Sequence, residues 1–116
     1  MSLVPPSSLA ETGSQLTLIA FLKAKPGQGD ELGRRLLALS RPSRAEAGNI
    51  NYDLHQSIED PGAWMIYENR ATPAALDVHF EMPHMKEFVA QVGEVLAGDM
   101  DLRRFAMTTR VAPPQA

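Results

Sequence analysis

Residues 49 to 70 constrain the fold of this chain more than any other stretch. "NINYDLHQSI" (49 to 58) alternates apolar and polar side chains, "EDPG" follows, and "AWMIYENR" (63 to 70) resumes the extended pattern. Period-two alternation on both sides of a short turn sequence reads as a β-hairpin. Ile50, Tyr52, Leu54 and Ile58 share one face of the first strand, and Asn49, Asn51, Asp53, His55 and Ser57 share the other. If Ile58 and Ala63 flank the turn as partners, Asn51 lies opposite Arg70, Asp53 opposite Glu68 and His55 opposite Ile66. One sheet face then carries Asn51, Asp53, His55, Trp64, Ile66, Glu68 and Arg70. So polar a face is either exposed or lines a cavity.

A lone hairpin is not stable, so the flanking segments must complete a sheet and cover it. "QLTLIAFLKAK" (15 to 25) is a short apolar run ended by "PGQG", which reads as a strand covered on both faces. In "GDELGRRLLALSR" (29 to 41), Leu32, Leu36 and Leu39 fall at i, i+4 and i+7, and Asp30 and Glu31 occupy the first turn of a helix. Pro42 is expected to kink or end it, with one more turn conceivable through Glu46 and Gly48 as a left-handed cap. "TPAALDVHF" (72 to 80) is a short helix with Thr72 as N-cap and Pro73 first. Pro83 starts another, with Met85, Phe88, Val89, Val92 and Leu96 as its apolar stripe and Gly98 at its end. "DLRRFAMTTRV" (101 to 111) is the last strand.

This order predicts an α+β, ferredoxin-like βαββαβ sandwich, a four-stranded antiparallel sheet with helices on one face. The domain spans residues 15–111, between a flexible arm at 1–14 and a tail at 112–116. Helices on one side leave the other sheet face bare, and a second copy is its simplest cover. The expectation is a homodimer with sheets face to face, a dimeric α/β barrel, using Tyr52, Leu54, Met65, Tyr67 and Phe105.

Other classes are disfavoured. The 116 residues carry a net charge of -3, so there is no basic footprint for nucleic acid. With no cysteine, disulfides, thiolate metal sites and a cysteine nucleophile are excluded. No apolar run reaches the length of a membrane span and no secretion signal is read, so a cytoplasmic protein is expected. There is no G-x-S-x-G sequence, and "KPGQGDELG" lacks the spacing of a phosphate-binding loop.

Two of the three histidines flank a proline in "HFEMPH" (79 to 84). His79 falls three residues after Leu76, so it shares that residue's inward face and points at the sheet. His84, in the first turn after Pro83, reads as structural. The two are five residues apart, off the i, i+4 spacing of a helical metal site, and no metal is expected.

The stretches "EAGNINYDLHQSIEDPGAWMIYEN" and "AALDVHFEMPHMKEF" resemble the antibiotic biosynthesis monooxygenase family. The residues that carry the resemblance are Glu46, Gly48, Tyr52, Leu54, Asp60, Pro61, Tyr67, Glu68, Leu76, His79, Pro83 and His84. It implies a dimeric ferredoxin-like barrel with a pocket between helices and sheet in each protomer. It also implies a monooxygenase that needs no metal or flavin and uses dioxygen as co-substrate. A small hydroquinone, phenolic or anthrone substrate loses a proton, and the resulting anion reacts with dioxygen. His79 is then the expected base and Asn51 its catalytic companion. His55, Glu68, Arg70, Trp64 and Phe80 are expected to bind and orient the substrate. Where members of the family often carry tryptophan, this chain has Arg70, which favours an anionic substrate. The alternatives are a non-catalytic small-molecule-binding dimer and, within the same fold, a haem-degrading enzyme or an isomerase.

Overall fold

The computed structural model describes residues 2–3 and 15–110. The tail at 112–116 lies outside the described residues, as does the arm except for Ser2 and Leu3. In chain order the elements are β1 (Ser2–Leu3), β2 (Leu16–Lys23), α1 (Gly29–Arg44), β3 (Asn49–Gln56), β4 (Ala63–Arg70), α2 (Pro73–Glu81), α3 (Pro83–Val92), β5 (Asp101–Ala106) and β6 (Thr109–Arg110). Strands β2 to β5 form one antiparallel sheet in the order β3-β4-β2-β5, and β1 pairs with β6 in a separate two-stranded ribbon. This is the expected ferredoxin-like sandwich. The last strand is shorter than expected, because the extended run divides at residues 107–108 into β5 and β6.

Leu18, Leu32, Leu36 and Leu76 are fully buried where the helices meet the sheet. Each such side chain contributes roughly 1.5–3 kcal/mol by leaving water. Helix α1 runs past Pro42 to Arg44. A proline this near a helix end removes one backbone donor without stopping the turn. Helix α3 ends at Val92, short of the expected Gly98. Beyond it the backbone is captured by the end of β2: Lys25 N donates to Val95 O, and Ala97 N to Lys23 O, each at 2.8 Å. That captured loop buries Leu96, while Val89 of the expected stripe stays exposed.

The hairpin forms, but its register differs from the expected one. Ser57 N donates to Ala63 O at 2.9 Å, so Ser57 rather than Ile58 is the partner of Ala63. The polar side chains of the loop cause the shift. Ser57 Oγ accepts from Asp60 N, and Asp60 Oδ1 accepts from Gly62 N, which closes a loop one residue wider and leaves Ile58 at its tip, 97% exposed. Asn51 therefore pairs with Asn69, Asp53 with Tyr67 and His55 with Met65. A further irregularity between Asn49 and Asn51 places Asn49, and not the expected Asn51, opposite Arg70.

A one-residue slip exchanges faces. Tyr52 and Leu54, expected at a dimer interface, lie on the helix-covered face with Ile66, Glu68 and Arg70. Asn51, Asp53 and His55 lie on the opposite, outer face. There Asn51 Oδ1 accepts from Asn69 Nδ2 at 2.8 Å, and Asn51 Nδ2 donates to Asp53 Oδ2 at 3.1 Å. Of the expected interface set, Met65, Tyr67 and Phe105 remain on the outer face, joined by Ile19 and Phe21.

Candidate active site

The site is built around Glu46, in the turn between α1 and β3. Gly48 holds that turn with φ +82°, the left-handed region that an L side chain rarely adopts. A Cβ at Gly48 would stand 2.7 Å from the side chain of Ala75 in α2. Ala71 N also donates to Gly48 O at 2.7 Å. The missing side chain lets the turn lie against α2 and brings Glu46 to His79. Gly48→Ala is expected to cost roughly 1–3 kcal/mol through backbone strain and this overlap. Urea unfolding checks it, and an unchanged midpoint would refute the role given to this glycine.

Three cationic or imidazole side chains converge on the Glu46 carboxylate. Arg70 Nη1 donates to Oε1 at 2.6 Å. His79 Nδ1 lies 2.8 Å from Oε1 and 3.0 Å from Oε2. His84 Nε2 meets Oε2. Arg70 also donates from Nε to Glu68 Oε1 at 3.0 Å, so its guanidinium joins two carboxylates. The side chains of Glu46, Glu68, Arg70 and His79 are all nearly sealed from solvent, and that of His84 is 22% exposed. Among the described residues, Arg70 Nη2 is buried without a hydrogen-bond partner.

Local sequence explains each placement. Thr72 caps α2 by accepting from Ala75 N at 3.2 Å, which fixes the helical phase that turns Leu76 and His79 inward. At Met82 the backbone is extended, φ -69° and ψ 144°, as expected before a proline. This break reverses the chain just enough to return His84 to the carboxylate that His79 already meets.

Burial pushes the Glu46 carboxyl up, but hydrogen bonds from His79, Arg70 and His84 outweigh it and leave the group below the usual carboxylate range. Burial raises Glu68 despite the attraction of Arg70. Burial also lowers His79, and the Glu46 hydrogen bond offsets this only in part. His79 is therefore a neutral imidazole near pH 7. With its proton on Nδ1 for Glu46, its second nitrogen, Nε2, carries the lone pair.

His79 lines a cavity between the helices and the sheet. Leu18 and Ile66 contribute from the sheet, Phe80 and Met85 from the helices, and Tyr52, Glu68 and His79 are its titratable members. Its volume, about 20 Å³, has room for about one water. An aromatic ring would enter only if side chains around it moved, and the α2–α3 break is the nearest irregular backbone.

The residues expected in the site divide into two groups. His79, Glu68 and Phe80 border the cavity. Arg70 is not among the residues lining it and holds two internal carboxylates, Glu46 and Glu68. Trp64 is turned away: its indole lies over Gly33 of α1 and donates to Gly29 O at 3.1 Å. Asn51 and His55 are on the outer face, where His55 is exposed with Nδ1 3.0 Å from the carbonyl of Asp53. The cluster also contains two residues the expected set omits, Glu46 and His84. Glu46 and His84 were both visible among the residues that carry the family resemblance, without a site role assigned to either.

The profile of the antibiotic biosynthesis monooxygenase family matches residues 15–91. The chain belongs to this family. YcnE of Bacillus subtilis, named as a candidate monooxygenase, is 33% identical over 89 residues, 77% of this chain and 94% of its own. Rv0793 of Mycobacterium tuberculosis, also named as a candidate monooxygenase, is 37% identical over 83 residues, 72% of this chain and 81% of its own. The solved structure of Rv0793 superimposes with a TM-score of 0.79, covering 85% of this chain and all of that one, at 31% identity. PA3566 of Pseudomonas aeruginosa gives a TM-score of 0.78 at 35% identity over 83% of this chain and 96% of its own. The family match spans all of the Glu46, Glu68, Arg70, His79 and His84 cluster. No helix among the described residues is long and apolar enough to cross a membrane.

Proposed function

We propose that this family member is a cofactor-independent monooxygenase acting on a small hydroquinone or phenolic substrate, with His79 as base. The observation that carries this reading is the buried Glu46–His79 pair, which presents an imidazole to a largely apolar cavity. Glu46 holds the Nδ1 proton and thereby keeps a lone pair at Nε2. Substrate would transfer a hydroxyl proton to Nε2. The electron-rich anion would attack dioxygen at a ring carbon and form a hydroperoxide. Breaking the O–O bond then leaves one oxygen on the ring as a carbonyl and releases the other as water. Glu68, its carboxylate held by Arg70, borders the same cavity.

The test is oxygen uptake by the purified chain over a panel of hydroquinones and anthrones, with oxygen-18 gas and mass analysis of the product. One labelled atom per product is expected. No uptake across the panel would overturn the reading. A non-catalytic binding protein is the second reading, favoured by the closed cavity, and it predicts a raised melting temperature with the same compounds but no turnover.

We also infer that two copies pack through the outer sheet face, where Phe21, Tyr67 and Phe105 are each more than a third exposed. Sedimentation should give twice the chain mass, and Tyr67→Glu with Phe105→Glu should halve it. A monomeric wild type would sink this inference.

A further inference from the structure

Glu46, His79 and His84 are drawn from three places in the chain, the α1–β3 turn, the last turn of α2 and the first turn of α3. Their donor atoms lie within 4.8 Å of one another. Among the described residues they are the one group of three or more such side chains to meet this closely. The two imidazole rings are tilted by 56° with centroids 6.2 Å apart, so they converge edge-on at the carboxylate instead of stacking. We propose that these three residues form a binding site for a divalent first-row transition metal ion, of which zinc is the representative.

Four features carry the proposal. First, two imidazoles and one carboxylate are the donor set of many such sites, and they select zinc, iron or cobalt over magnesium and calcium, which prefer oxygen ligands. Second, the carboxylate is oriented from behind. Arg70 Nη1 holds Oε1, leaving Oε2 turned to His84, and Glu68 anchors Arg70 in turn. Third, the His79 ring is fixed between Tyr52 and Phe80, with centroids at 6.0 and 5.3 Å. Fourth, there is access. His84 is partly exposed and borders a surface groove of about 240 Å³ between α1 and α3, lined also by Leu39, Pro42 and Phe88.

The hydrogen-bonded cluster is tighter than a coordinated one. Donors around a zinc ion stand about 3.3–3.6 Å apart, given bonds of about 2.0–2.2 Å. His79 Nδ1 and Glu46 are 2.8 Å apart, so binding must spread them by under an ångström.

Occupancy has a chemical consequence that rests on the reading of His79 as base. A metal on Nδ1 displaces the proton that Glu46 holds there, and the neutral ring then carries its proton on Nε2. The cavity would face a donor where it had faced a lone pair. The metal is thus expected to inhibit turnover, acting as a tautomer switch and not as a cofactor.

The experiment is calorimetric titration of the untagged full chain with zinc chloride at neutral pH, beside His84→Ala and His55→Ala. Wild type and His55→Ala should bind one zinc with equal affinity, because His55 lies on the far face of the sheet. His84→Ala should bind at least about tenfold more weakly. No heat of binding at millimolar zinc, or equal affinity in His84→Ala, would overturn the site. If zinc binds through His84 and yet leaves oxygen uptake unchanged, the metal site stands and the role of His79 as base falls.

Discussion

Replacing Arg70 with alanine is expected to destabilise the fold by about 3–5 kcal/mol, because it leaves two buried carboxylates without their shared counter-charge. In a domain this size that lowers the melting temperature by roughly 15–30 °C. Glu46 and Glu68 are both sealed from solvent, and Arg70 bonds to each. Without it, each pKa must rise, Glu68 from a position that burial has already raised. The pH dependence follows in sign. A carboxyl whose folded pKa lies above its unfolded value favours the fold at low pH, and that stability is lost as pH rises through the folded pKa. The deficit of Arg70→Ala relative to wild type should therefore be largest near pH 8 and shrink toward pH 5. Arg70→Lys keeps the charge but cannot bridge two carboxylates, so it should recover only part of the loss. Thermal melts across that range are the measurement. A variant within a few degrees of wild type at pH 8 would mean that the cluster is not held by Arg70.

The second large effect concerns turnover. His79→Ala is expected to lower oxygen uptake by about 10²–10⁴-fold, the usual contribution of a positioned base. His79 is buried, so alanine also leaves a cavity. His79→Gln is the companion variant, since it fills similar space and can still donate to Glu46 but offers no basic nitrogen. Both should lose turnover, whereas only alanine should show a marked loss of stability. Asn51→Ala and His55→Ala, on the other side of the sheet, should each stay close to wild-type rate. Uptake by His79→Gln at the wild-type rate would remove His79 from the chemistry.

These two predictions draw on different kinds of legibility. The position of His79 could be read locally. Thr72 and Pro73 start a helix, and Leu76 marks its inward side, so a histidine three residues later must face the sheet. The partners of His79 could not be read that way. Glu46 reaches it from 33 residues away, and only the left-handed turn at Gly48 and its close approach to Ala75 bring the two together. The i, i+4 spacing of a helix does not measure the distance between His79 and His84, because a break lies between them. The extended backbone at Met82 makes a separation of five residues converge on one carboxylate.

By itself the sequence determined the elements from β2 to β5, their order and the ferredoxin-like architecture, since periodicity, caps and turn residues are local properties that fold into few topologies; it did not show β1 or its pairing with β6. It also determined that Leu76 and His79 face inward. Tertiary structure decided which sheet face each hairpin residue occupies. That choice hangs on one residue of register, set by hydrogen bonds of Ser57 and Asp60 inside the loop, and it sent Asn51 and His55 outward and Tyr52 inward. It decided, too, that Arg70 joins two internal carboxylates. Alternation along a strand reports that two faces differ. Which face meets the helices depends on contacts between residues far apart in the chain, where the cost of burying each charge is either met by a partner or not.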